Sequence, residues 1–114
     1  MTRIRLISGE TVLTGTLDGT AVASDFAALL PLDLTLRDFH GIEQIADLPR
    51  ALDTSAAPES YKPEAGDITL YAPWGNLAIF FRPFQESQGL VRLGRFDTPP
   101  DGLTDGPVRL ERVD

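Results

Sequence analysis

The chain contains no cysteine. That excludes disulfides, thiol nucleophiles and thiolate-held zinc. Positive charge is scarce: 10 Lys and Arg stand against 17 Asp and Glu, a formal net charge of −7. Such a balance argues against nucleic acid and anionic membrane surfaces as partners. Lysine is almost missing; Lys62 is the only one, and the other basic residues are arginine, which suits bidentate contacts to carboxylate or carbonyl groups. Histidine occurs once, at His40. No apolar run approaches the ~20 residues of a membrane span. No basic segment with a long apolar run opens the chain, so no signal peptide is read and a cytoplasmic location is expected. Internal repeats, low-complexity tracts and linkers are also missing. At 114 residues this reads as a single domain over 1–114, large enough to bury a core without disulfide or metal.

What is present is organised around residues 67–82. They hold the single Trp, one of two Tyr and two of six Phe. Asp67 to Tyr71 alternates polar and apolar, as a half-buried strand does. Pro73, Trp74, Gly75 and Asn76 supply turn chemistry, since Gly and Asn tolerate positive φ. Leu77 to Phe81 is a continuous apolar run of strand formers. The pattern predicts a hairpin through the core with Trp74 at its bend and partly exposed.

Further strands are expected over 3–7, 11–17, 32–36, 43–48, 90–96 and 107–113. Gly94, inside one of them, points to a bulge or a close backbone approach. One helix is expected over about 24–30, with Ser24 as cap, Asp25 in the first turn, and Phe26, Leu29 and Leu30 on one face. Pro31 ends it. Residues 50–63 read as a polar surface loop, 85–89 as a turn, and 99–103 as a helical turn or irregular loop. About seven or eight short antiparallel strands with one short helix give a mainly β, closed or nearly closed barrel.

Several segments carry a resemblance. They are Ala-Ala-Leu-Leu-Pro at 27–31, Ile-Ala-Asp-Leu-Pro-Arg at 45–50, Gly66-Asp67, Tyr-Ala-Pro-Trp-Gly-Asn-Leu-Ala-Ile-Phe at 71–80, and Leu-Gly-Arg at 93–95. In this order they resemble a family of small prokaryotic proteins with a cyclophilin-like fold, over nearly the whole chain. The resemblance implies a cyclophilin-like β-barrel smaller than true cyclophilins. Those are peptidyl-prolyl cis/trans isomerases with a shallow apolar groove on the barrel wall. Their Phe-His-Arg stretch, whose Arg bonds the prolyl nitrogen, has its counterpart in Phe39, His40 and Gly41, with Gly in the Arg place. Their Gln-Gly-Gly-Asp pattern survives only as Gly66-Asp67, and their Ser-Gln-Phe-Phe-Ile strand has a loose echo at 78–82. Isomerase activity is therefore expected to be absent or feeble.

The candidate site residues are Arg50, Tyr71, Trp74, Phe81 and Phe84, forming an apolar, Arg-edged groove for a small molecule or a peptide segment. Arg50 is the candidate replacement for the missing donor; its ordinary alternative is a surface pair with Asp47 or Asp53. The aromatic residues have the barrel core as their alternative. His40 is weighed as an acid/base, and Asp38, His40 and Glu43 as a weak metal set. Asp97, Asp101 and Asp105 are weighed for calcium, against a solvated acidic loop. The reading adopted has no catalytic residue assigned beyond Arg50, no metal and no cofactor. It is a non-catalytic binding module; the alternatives are a weak prolyl isomerase and an oligomerisation or interaction domain using an exposed strand edge, so a homo-oligomer stays open.

Overall fold

The computed structural model describes residues 1–113. The chain opens with β1 (Thr2–Ser8) and β2 (Thr11–Leu17), then α1 (Ala21–Ala27), β3 (Leu32–Phe39) and β4 (Glu43–Asp47). After β5 (Ser60–Tyr61) come β6 (Asp67–Tyr71) and β7 (Asn76–Phe80), followed by β8 (Ser87–Gln88), β9 (Leu90–Phe96) and β10 (Gly106–Arg112). Eight of these strands close a barrel in the order β1-β10-β3-β4-β7-β6-β9-β2, every pairing antiparallel. The mainly β, closed antiparallel barrel with one short helix agrees with the sequence expectation.

Alternation fills the interior. Ile4 and Leu6 of β1, Leu34 and Leu36 of β3, and Val108 and Leu110 of β10 all point inward, while Arg3, Arg5, Asp33 and Arg109 between them face water. Phe26 of α1 is fully buried against the same core. No helix among the described residues is long and apolar enough to cross a membrane.

The helix lies earlier than expected. Thr20, in extended backbone, accepts from the Ala23 N–H at 3.2 Å and caps it, so Ser24 is an interior, exposed residue. Its buried stripe is Val22, Ala23, Phe26 and Ala27. Leu29 and Leu30 lie in a tighter turn beyond it, bonding back to the Phe26 and Ala27 carbonyls. Two small alanines hide the true apolar stripe from a reading that weights large side chains.

The 50–63 and 85–89 segments are also more ordered than expected, because β5 and β8 pair as a two-stranded ribbon. Residues 99–103 form a turn, with the Leu103 N–H on the Pro100 carbonyl. The central hairpin forms as expected: Tyr71 pairs with Asn76, and Gly75 takes φ 65° to let its N–H reach the Tyr71 carbonyl at 2.9 Å.

Gly94 combines both of its expected roles. The β6–β9 register slips between Ile68 and Thr69, as in a bulge. A Cβ at Gly94 would collide with the Thr16 carbonyl oxygen and lie 2.8 Å from the Leu17 Cα. A Cβ at Gly75 meets open space, so only backbone strain opposes it. Gly75→Ala should cost about 1 kcal/mol and Gly94→Ala about 3 kcal/mol or more. Thermal unfolding of the two variants checks this; equal melting temperatures would remove the close approach at Gly94.

Candidate functional site

Strand β7 departs from alternation. Leu77 and Ile79 face the interior, yet Ala78 and Phe80 are buried as well, on the outer side. Register explains this. Phe80 lies beside Glu43 of β4, which lies beside Phe39 of β3; Asn76 lies beside Tyr71 of β6, which lies beside Leu90 of β9. Paired residues share a face. A second apolar cluster of Ile45, Ala78, Phe80 and Leu90 therefore coats the outside of the barrel wall, with Phe39 and Tyr71 packed on it.

Over that cluster lies a groove of about 340 Å³. Trp74, from the β6–β7 turn, stands at one side, 62% exposed. Its ring meets Tyr71 at 5.4 Å and 83°, and Phe39 at 5.8 Å and 86°, both edge-on. Phe84 covers another side; its segment is tied down by the Phe84 N–H on the Pro63 carbonyl. The polar lining consists of Glu43, Asn76, Ser87 and Gln88. Burial pushes the Glu43 carboxyl up to about 7.

Of the expected site residues, Tyr71, Trp74 and Phe84 come together here, and Arg50 and Phe81 do not. Arg50 is bound bidentately to Asp25 of α1 at 2.8 and 3.1 Å, and the same carboxylate accepts from the Asp53 N–H at 2.8 Å. Its partner is thus neither Asp47 nor Asp53 side chain, and its work is to pin the loop after β4 to the helix. Phe81 follows the end of β7 in a bend, and Phe80 takes the groove side instead. Phe39, Glu43, Asn76 and Phe80 were not recognised as groove residues from sequence. The unbroken apolar run at 77–80 was the available signal, since it marks a strand covered on both faces.

The other candidates disperse. His40 sits exposed at the β3–β4 turn with φ 56° and packs edge-on against Phe39 at 4.2 Å. Asp38 accepts from the Gly41 N–H within that turn. Asp97 is held by Arg3 and Thr14, which lower its carboxyl to about 2, while Asp105 accepts from the Asp38 N–H. No cluster of three or more His, Asp or Glu suited to a metal ion occurs among the described residues.

A second hollow, about 250 Å³, lies between α1 and residues 53–61, lined by Val22, Ala57, Tyr61 and Val91 with Asp18 and Arg92 at its side. Beside it Asp67, fully buried, accepts from the Tyr61 hydroxyl at 2.6 Å, the Glu64 N–H at 2.9 Å and Arg95 Nε at 2.8 Å. Its charge is spoken for, which makes it a structural anchor of β6.

A closed eight-stranded antiparallel barrel with one short helix is consistent with a cyclophilin-like fold. The comparisons agree: the model of the cyclophilin-like family matches residues 6–111, and the chain belongs to that family. Its fold is similar to the solution structure of the hypothetical protein AF2241 from Archaeoglobus fulgidus, at TM-score 0.73 and 19% identity, covering 98% of this chain and 95% of that one. No curated protein matches the chain.

Glu43 generates a pH signature. Between its ordinary 4.5 and about 7, the folded protein keeps a proton that the unfolded chain has lost. Stability should therefore fall as pH rises through that window and level off above it. Glu43 is half-buried, so solvent screening reduces the effect to about 1–2 kcal/mol. Urea unfolding of wild type and Glu43→Gln from pH 4.5 to 7.5 should show the variant relatively more stable at the upper end. A flat difference curve would place Glu43 at its ordinary value.

Proposed function

We propose that this barrel is a binding module that holds a small molecule or a peptide segment in the outer-wall groove, without a catalysed step. The observation that carries this reading is the placement of Trp74. A ring this large is left 62% exposed, yet it is braced edge-on by Tyr71 and Phe39. Apolar surface held rigidly in water favours contact with a ligand. The volume of about 340 Å³ lies in the range of small-molecule sites, about 300–1,000 Å³.

The isomerase alternative needs a guanidinium donor above the apolar floor. The groove lining includes no arginine among the described residues, and Arg50 is engaged by Asp25. The strand-edge alternative has less support because the eight main strands close on themselves, and among the described residues the two strands outside that closure, β5 and β8, are two residues each.

A fragment library titrated against labelled protein, followed by amide shifts and Trp74 emission, tests the reading. Shifts should gather on Phe39, Tyr71, Trp74 and Phe84. Shifts gathering at Val22, Ala57 and Val91 would move the binding site to the hollow beside α1. In a proline-isomer exchange assay, a test peptide should interconvert at its uncatalysed rate. Acceleration lost in a folded Arg50→Ala variant would make the protein an isomerase instead.

A further inference from the structure

We infer that the groove takes a small primary or secondary alkylammonium ion, its N–H groups bonded to Asn76 and Glu43 and its charge set against Trp74, Tyr71 and Phe39. This rests on the groove being a binding site, and it names the chemistry of the occupant.

The lining has donors in the Trp74 indole, the Tyr71 hydroxyl and the Gln88 amide, but its carboxyl and its buried unpartnered atom are both acceptors. Asn76 is 2% exposed, and its Nδ2 donates to the Leu77 carbonyl at 3.3 Å. That bond fixes the amide's orientation and leaves Oδ1 with no donor among the described residues, although a buried acceptor ordinarily has one. Glu43 has no ion-pair partner among the described residues, and no Lys or Arg lines the groove. The Ser87 hydroxyl is already given to the Gln85 carbonyl at 3.1 Å. An anion would find the Glu43 carboxyl and an amide oxygen facing it. A neutral alkyl group would leave Asn76 Oδ1 unmet. An ammonium ion supplies what both residues lack.

The rings favour the same charge. The faces of Trp, Tyr and Phe carry negative quadrupole density, and a cation within about 6 Å of a ring centroid is attracted to it. Phe39, Tyr71 and Trp74 all line the groove, and the Trp74 ring stands at nearly a right angle to each of the other two. A bound cation would favour the ionised Glu43 carboxylate and so oppose the upward push of burial on it. The net charge of −7 draws cations toward the protein from a distance. A volume of about 340 Å³ suits a small amine better than an extended peptide.

Three probes of one alkyl chain separate the contributions: butylammonium, butyltrimethylammonium and butan-1-ol. Trp74 emission and amide shifts at constant ionic strength report binding. Butylammonium should bind roughly tenfold tighter than butan-1-ol. Butyltrimethylammonium, charged but without N–H, should fall between them. Glu43→Gln should weaken butylammonium roughly tenfold and leave the alcohol unchanged, and Trp74→Leu, followed by amide shifts, should weaken both cations. Trp74 is largely exposed and Glu43→Gln keeps the side chain's size, and circular dichroism checks that both variants fold. Equal affinity for alcohol and ammonium would overturn the cation assignment while leaving the groove as a binding site. Tighter binding of the trimethyl probe would overturn the N–H contacts. A lysine-containing pentapeptide binding far more tightly than butylammonium would overturn the small-amine assignment in favour of a peptide. No saturable binding of any probe to folded protein would overturn the inference outright, with the fragment titration deciding separately whether the groove binds at all.

Discussion

At the seam between β2 and β9, only three residue pairs join the two strands, Gly15 with Phe96, Thr16 with Arg95 and Leu17 with Gly94. Two of those pairs contain a glycine. A Cβ on Gly15 would come within 2.7 Å of the Arg95 carbonyl oxygen, and one on Gly94 would strike the backbone of Thr16. The strands close the barrel because no side chain separates them there. An open sheet of these strands would expose the interior faces of Leu17 and Leu93 and leave two long edges free. The bulge beside Gly94 turns β9 so that one strand serves β2 on one side and β6 on the other.

Closure of the cylinder has a consequence on its outside. The wall made by β3, β4, β7, β6 and β9 carries apolar residues on both faces, so the barrel core and the outer cluster share β7 between them. The outer cluster needs a cover. Part of it comes from Tyr61 and from the segment carrying Phe84, held through Pro63 and the β5–β8 ribbon. The remainder is the floor of the groove. Fold and candidate site thus follow from the same excess of apolar surface on one side of the wall.

Charge is distributed in keeping with this division. Arginines meet carboxylates around the rest of the surface: Arg3 with Asp97, Arg5 with Glu111, Arg50 with Asp25, Arg92 with Asp18, Arg109 with Asp33. Such exposed pairs contribute little each to stability. Their effect on the groove is indirect, because they leave its lining with a carboxyl and no cation. Asp67 is different, being fully buried with three donors; it fixes the start of β6 and so the hairpin that presents Trp74.

The sequence by itself determined the barrel and its central hairpin. Period-two alternation in β1, β3 and β6 says which face of each strand is apolar, and Gly75 with Asn76 says where the hairpin bends, because these signals are local. It also determined that Trp74 would stand at a bend. Arg50 illustrates what local signals cannot carry. Its partner Asp25 is 25 residues away on a helix whose start was hidden by small alanines and a threonine cap. The groove depended still more on register. Phe39, Glu43 and Phe80 become neighbours only when β3, β4 and β7 align, and a one-residue slip would have sent each to the opposite face. That alignment is set by turns and by barrel closure acting together. Which residues face the groove was therefore decided by the tertiary structure alone.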